Sequence, residues 1–87
     1  MLMCKVTGKV VSTIKNESLV GMSLITVRAL SFEAKGNEVV GKDVYVAADS
    51  FGCGVGHCVL VTQGGNARFA IGDGKAPVDM AVVGIID

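Results

Sequence analysis

The residues whose types are best suited to metal binding or catalysis are two cysteines and a histidine close together in the chain. Cys53, His57 and Cys58 lie within six positions of one another, and Cys4 is the remaining thiol. Structural zinc sites use four such ligands, with spacings such as C-x₂-C. The spacing Cys53-x₃-His57-Cys58 does not match, and successive strand residues point to opposite faces. We therefore predict no metal site, and interpret Cys58 as a small core residue and His57 as a polar rim or interface residue.

A cysteine and a histidine this close also raise the possibility of nucleophilic catalysis. Such a pair needs a third group to orient the base and donors for the developing oxyanion. The sequence supplies no obvious set of that kind. We predict that the protein is not an enzyme, with no catalytic residues and no cofactor.

Three glycines at alternate positions, Gly52-x-Gly54-x-Gly56, invite comparison with phosphate-binding loops. The dinucleotide fingerprint places its third glycine later, at the start of a helix between parallel strands. Here a predicted strand follows, which favours a tight connection whose glycines adopt positive φ or admit another backbone. Asp49 precedes the loop, and we expect its carboxylate to accept hydrogen bonds from the loop's N–H groups.

Two charged residues remain open to two interpretations. Arg68 follows a pair of glycines and Asp79 precedes the last apolar segment. Each is consistent with a surface charge or a partner of a helix end. Each is also consistent with a salt bridge between neighbouring subunits.

The elements that position these residues are five short strands and one small helix. Alternation and β-branched residues predict strands near residues 4–13, 23–30, 43–48, 57–62 and 80–86. Residues 33–42 predict a solvated loop or hairpin tip. Asn66 and Gly72 suit the two ends of a helix of one or two turns, between strands four and five. This order predicts an all-β fold, a closed or nearly closed five-stranded barrel in a single domain spanning residues 1–87.

Apolar residues exceed what so small a barrel can bury. They make up 51% of the 87 residues, and nearly every position from Met80 to Ile86 is apolar. A short chain has too little interior to cover a strand on both faces. Since monomers rarely expose large apolar patches, we predict that another copy of the chain supplies the cover. No apolar run approaches the ~20 residues of a membrane span, and Met1–Lys5 does not resemble a signal peptide.

Charge and aromatic content argue against nucleic acid as a partner. Eight basic and eight acidic residues cancel, without a basic stripe. One tyrosine, three phenylalanines and no tryptophan offer little surface for base stacking. The three cysteines, an odd number without an export signal, are interpreted as reduced thiols in the cytosol.

Five motifs occur in the same order along the whole chain as in one known family. They are Val6-x-Gly8-x-Val10-Val11, Lys15–Gly21, Asp49-Ser50-x-Gly52-x-Gly54-x-Gly56, Gly64-x-x-Ala67-Arg68 and the segment 77–87. Together they resemble the EutN/CcmL family, the pentameric vertex proteins of bacterial microcompartment shells. The resemblance implies a barrel related to the OB-fold, assembled as a homopentamer in the shell of a microcompartment in the bacterial cytoplasm. It also implies hexameric shell proteins as partners.

Under this hypothesis particular residues become candidates for assembly. The candidates for subunit contact are Arg68, Val82, Val83 and Ile85. The candidates for a loop at the axial opening are Ser50, Gly52, Cys53, Gly54 and Gly56, with Asn66 as the alternative. The competing hypothesis is an OB-like module that binds nucleic acid or a small ligand, which requires the basic groove and exposed aromatics that the composition lacks.

Overall fold

The fold is built from short strands in the part of the chain that the structure describes. This is a computed structural model, and it describes residues 1–10, 22–65, 67 and 79–86. The strands are β1 (Leu2–Val10), β2 (Ser23–Phe32), β3 (Glu38–Val40), β4 (Tyr45–Asp49), β5 (Cys58–Gln63) and β6 (Met80–Ile86). The predicted all-β class is confirmed.

Five of the strands close into a barrel. Around it β1 pairs with β2, β2 with β4, β4 with β6, β6 with β5, and β5 with β1. All pairings are antiparallel except that of β4 with β6, which is parallel and joins Ala48 to Ala81. β1, β2 and β4 are consecutive neighbours and β5 returns beside β1, which is a Greek key, as in OB-folds. The predicted barrel is therefore confirmed as a mixed, OB-like barrel.

β3 is a sixth strand that extends β2 beyond the barrel. It pairs antiparallel with β2, with Phe32 opposite Glu38. The turn between them is closed by N–H groups of Glu33 and Gly36, which donate to the carbonyls of Asn37 and Glu33 over 2.9 and 2.8 Å. Gly36 has φ 85°, which favours glycine. The hairpin interpretation of residues 33–42 is thus correct, although the strand itself was not predicted.

The core lies inside the barrel and follows the alternation of its strands. On β1, Cys4 and Val6 face inward while Lys5 and Thr7 beside them do not. The same period of two places one face of each barrel strand in the interior. The core cluster comprises Cys4, Val6, Ile25, Val27, Ala47, Cys53, Val59, Val61, Met80 and Val82.

β6 changes environment midway, which corrects one expectation. Met80, Ala81 and Val82 are buried within their own chain, so the prediction that this segment lacks cover along its length is wrong for its first three residues. The parallel contact with β4 and the pairing with β5 enclose them, and Ala81 is small enough to need little cover. On this strand only Ile85 and Ile86 remain exposed.

Some predictions fall outside the described residues. These are the end of the first strand beyond Val10, and the short helix of residues 67–71 apart from Ala67, which is buried. Within the described residues, nothing forms a helix with the length and apolarity needed to span a bilayer.

Candidate assembly surfaces

The glycine loop is fixed by the carboxylate at its start. Asp49 ends β4 and is 2% exposed. Its Oδ1 accepts the N–H of Phe51 over 2.8 Å, and its Oδ2 accepts the N–H of Cys53 over 2.7 Å. Hydrogen bonds to a carboxylate are stronger than those between neutral groups. The prediction that Asp49 caps this loop is confirmed.

Cys53 turns inward from the loop. Its side chain is fully buried, and its thiol donates to Asp49 Oδ1 over 3.3 Å. Burial, followed by the neighbouring Asp49 carboxylate, raises the pKa of the Cys53 thiol to about 11. The thiol stays neutral at physiological pH, and its side chain does not reach solvent.

The second half of the loop is anchored on β1. The N–H of Gly56 donates to the carbonyl of Val6, and the N–H of Val6 donates to the carbonyl of His57, both over 2.9 Å. His57 Nδ1 accepts the N–H of Gly54 over 2.9 Å. Gly52 and Gly56 adopt φ of 74° and 92°, as expected of a tight connection. The loop is therefore held in one shape, with the side chain of His57 exposed.

The candidates for the axial opening have different exposures. Ser50, Gly52 and Gly56 are exposed, while Gly54 is half-buried beneath the His57 ring. Asn66 lies outside the described residues. The position of this loop relative to a symmetry axis stays a prediction.

An exposed apolar surface occurs where β5 and β6 run beside each other. We call the outward-facing Leu60 and Ile86 the loop-end patch; they are 36% and 37% exposed. Ile85 is 38% exposed but lies opposite the core residue Val59, so it belongs to the other face of the strand. Leu60 projects outward between two core residues of β5, and Ile86 lies opposite Cys58. The patch includes the uncovered end of the segment whose apolar composition predicted assembly.

Cys58 belongs to this outer surface, so its interpretation as a core residue is wrong. It is half-exposed and lies opposite both Ile86 and Lys5. The inward positions of β5 are taken by Val59 and Val61. An error of one residue in strand phase exchanges the two faces.

The four candidates for subunit contact differ in how far the barrel already buries their side chains. Val82 lies in the core of its own chain at 3% exposure, so its side chain is already covered. Val83 is half-buried and Ile85 is exposed. Arg68 lies outside the described residues.

A second apolar surface was not singled out in the sequence. Val44 and Val46, just before and within the start of β4, are 52% and 49% exposed, and we call them the β4 patch. Tyr45 between them is 38% exposed but lies opposite the core residue Val27, so it belongs to the other face. Val46 lies opposite Thr26, and the next residue, Ala47, lies opposite Ile25 in the core, so Val46 projects outward. The alternation of Val44 and Val46 was the only signal in the sequence.

The β2–β3 hairpin is attached to the barrel by an ion pair. Lys5 Nζ on β1 contacts Glu38 Oε2 on β3, and Glu38 Oε1 lies 3.9 Å from the sulfur of Cys58. The hydrogen bond to Glu38 raises the pKa of the Lys5 ammonium. The side chain of Glu38 therefore links β3 to Lys5 of β1 and approaches Cys58 of β5, which lies opposite Ile86.

In the described part of the chain, cysteines and acidic residues meet only in pairs, Cys53 with Asp49 and Cys58 with Glu38. Among the described residues, no group of three or more histidine, cysteine or acidic side chains has the arrangement of a metal site. Cys4, Cys53 and Cys58 are all free thiols, and burial raises the pKa of Cys4 as well.

Comparison with known proteins agrees with a role in assembly. The family model described as ethanolamine utilisation protein EutN/carboxysome matches residues 1–87. The microcompartment shell vertex protein PduN of Salmonella typhimurium is 41% identical over 87 residues, covering all of this chain and 96% of the relative. The carboxysome shell vertex protein CcmL of Synechocystis is 42% identical, covering all of this chain and 83% of the relative.

A solved structure gives the same result for the fold. The GrpN pentameric microcompartment shell protein from Rhodospirillum rubrum superposes with a TM-score of 0.77 at 39% identity, covering all of this chain and 93% of that one. The family is structural rather than enzymatic. With this barrel, and with matches over its full length, the chain belongs to the EutN/CcmL family of bacterial microcompartment shell vertex proteins.

Proposed function

We propose that five copies of this chain form a closed ring that caps the vertices of a microcompartment shell, among hexameric shell proteins. Membership of the family over residues 1–87 supports this assignment, and GrpN is described as a pentameric shell protein. A hexagonal layer is flat. A five-fold unit has one neighbour fewer than a hexamer, so it forces the layer to curve at that point. The proposed function is this curvature, and it depends on the ring having five subunits.

The observation that carries the proposal is the exposed end of β6, which includes Ile86 of the loop-end patch. A ring of five is heterologous, since each copy presents one face to the next copy and a different face to the previous one. Ile85 and Ile86 are left exposed on a strand whose first half is already buried. Burying ~500 Å² of apolar surface per subunit contributes on the order of 10 kcal/mol before the costs of association.

Subunit contact is assigned to Val83 and Ile85 on β6, with Arg68 as a candidate salt-bridge partner. The loop of residues 50–56 is assigned to the rim of the axial opening. Its hydrogen bonds to Asp49 and β1 support this assignment, because a loop held in one shape can repeat identically in every copy.

Native mass spectrometry of the purified protein tests the proposal. We expect a pentamer as the dominant species at micromolar concentration. A dominant monomer or dimer would contradict it. Mixing the pentamer with a hexameric shell protein then tests the finer claim, with closed polyhedral particles expected only when both are present.

A further inference from the structure

We propose that protonation of His57 releases the tip of the glycine loop, residues 54–55, from the fixed shape that it has in the structure. The neutral imidazole holds this tip in place, and the protonated imidazole does not. The switch is a property of the single chain. Its consequence, a rim of the axial opening that loosens at acidic pH, rests on the proposed function.

His57 binds both polar backbone groups of Gly54. Its backbone N–H donates to the carbonyl of Gly54 over 3.1 Å, and its ring Nδ1 accepts the N–H of Gly54 over 2.9 Å. The first bond closes a turn over residues 54–57, in which Gly56 has the positive φ, 92°, that a type II turn requires. The ring also covers Gly54, with Cε1 3.6 Å from the position that a Cβ would occupy. One residue therefore fixes the backbone of the tip from two sides.

Two other anchors hold the rest of the loop and do not involve the imidazole. The carboxylate of Asp49 holds the first half, and a hydrogen bond from Gly56 to β1 holds the end. Between these anchors lies the tip, where the side chain of Val55 is 67% exposed. Loss of the ring's bond to Gly54 therefore frees the tip while both anchors remain.

The bond between the ring and Gly54 exists in only one protonation state. A backbone N–H can only donate, so Nδ1 must carry a lone pair and the ring proton must lie on Nε2. Protonation adds a second N–H at Nδ1, which then faces the N–H of Gly54, so the bond is lost and two donors oppose each other. Histidine is the side chain type that ordinarily changes charge between about pH 5 and 8, which sets the range to be measured.

The titratable groups on the elements around His57 are engaged with one another. They are Lys5, Glu38, Asp49, Cys53 and Cys58. Asp49 accepts loop N–H groups and the thiol of Cys53, while Lys5 and Cys58 both contact Glu38. Within the described part of the chain, no carboxylate forms an ion pair with the imidazole. The bond to Gly54 is therefore the polar contact of the ring that protonation changes.

One further charge follows β6 in the sequence. Asp87 comes directly after Ile86, the residue opposite Cys58, and lies outside the described residues. A carboxylate near the ring would change the pH of the transition without changing the bond that is lost. The variant Asp87→Asn therefore belongs in the experiment.

Solution NMR of the ¹⁵N-labelled protein measures the switch directly. The ring nitrogen shifts of His57 report its protonation and tautomer, and the amide of Gly54 reports the bond. We expect the Nε2–H tautomer at about pH 8, and a Gly54 amide shift with the same midpoint as the ring titration. Protection of this amide from exchange, corrected for the intrinsic effect of pH, should fall roughly fivefold or more on protonation. The amides of Phe51 and Cys53, bound by Asp49, should keep their protection.

Two variants at position 57 form a matched pair. His57→Asn places a carbonyl oxygen near the position of Nδ1 and does not titrate, so Gly54 should stay protected at about pH 8 and about pH 5. His57→Phe keeps a ring but has no acceptor, so Gly54 should be unprotected at both. Asp87→Asn should retain the pH dependence, with at most a shifted midpoint.

The proposal is overturned by a Gly54 amide that stays unchanged while the His57 ring titrates. Full protection of Gly54 in His57→Phe, or loss of the pH dependence in Asp87→Asn, would also overturn it. Native mass spectrometry of the same samples separates the switch from the proposed function. The expected NMR response in a protein that is not pentameric would leave the switch intact and contradict the ring, whereas a pentamer without the response would do the reverse.

Discussion

The two halves of β6 have the same apolar composition and opposite environments. Met80, Ala81 and Val82 are enclosed by β4, β5 and the core, whereas Ile85 and Ile86 are left at the surface. The difference arises because β4 meets β6 only at Ala81, so the second half has a neighbour on one side among the described residues. One half thus closes the barrel and the other remains available for assembly.

The largest effect is expected from Val82→Asp. Val82 is buried among apolar side chains, and a carboxylate there would have no partner to offset the cost of losing its hydration. We expect the protomer to lose on the order of 4 kcal/mol or more, and to be unfolded at room temperature. Circular dichroism and urea titration would measure this. A folded, soluble Val82→Asp monomer would show that this half of β6 is not part of the core.

The same substitution at Ile85 should separate folding from assembly. Ile85→Asp places the charge at a position already exposed in the protomer, so we expect the barrel to fold. In the ring the charge would be buried and unpaired, which should weaken each contact by on the order of 3 kcal/mol, or roughly 100-fold. Native mass spectrometry would show monomers.

Two further variants make the Ile85 experiment specific. Val83→Asp should also disrupt the ring, with some loss of protomer stability because Val83 is half-buried. Lys9→Asp introduces the same residue outside both patches and should leave the pentamer intact. An unchanged pentamer in both β6 variants would refute the assignment of this strand to the subunit contact.

The smallest effect is a dependence of stability on pH that arises from Cys53. Its pKa is about 11 when folded, against an ordinary value of 9.0, so the folded chain holds the thiol proton more tightly than the unfolded chain does. The contribution is fully present below pH 9 and falls as pH rises from 9 toward 11. Urea titrations across this range should show the decline.

Two cysteine variants test whether the pH dependence of stability comes from the buried thiol of Cys53. Cys53→Ala should reduce the slope between pH 9 and 11, although it also lowers stability by removing the bond to Asp49. Cys58→Ser is the matched control, since it removes a thiol that is half-exposed on the outer face of the barrel rather than buried in the core. An identical slope in all three proteins would remove Cys53 as its cause.

Much of the fold was predictable because local signals and barrel topology agreed. Alternation, β-branched residues and the apolar run of β6 together located β1, β2, β4, β5 and β6 to within a few residues. Asp49 before a glycine-rich loop predicted its capping role. β3 was missed because its three residues lie in a charged, glycine-containing segment. A strand so short is defined by its pairing with β2, which the sequence does not display.

The assembly surfaces were harder to predict because they depend on which neighbours a strand acquires. Composition marked the whole of β6 as uncovered, yet its contact with β4 and β5 buries the first half. The side of Cys58 depends on the phase of β5, and a strand without clear alternation leaves that phase ambiguous. The alternation of Val44 and Val46 showed that they share a face of β4, but not that this face is exposed, because alternating valines are equally typical of an inward face.

The pairing of β1 with β5 has a consequence for the rate at which this protein matures. Leu2 and Val61 are neighbours in the sheet although more than half of the chain separates them. The β2–β3 turn is local and should form within microseconds, whereas barrel closure must overcome the entropy of a long loop and should be the slow step. Until then the edges of β1 and β5 are open to other unfinished chains, so concentrated synthesis should favour aggregates over shells.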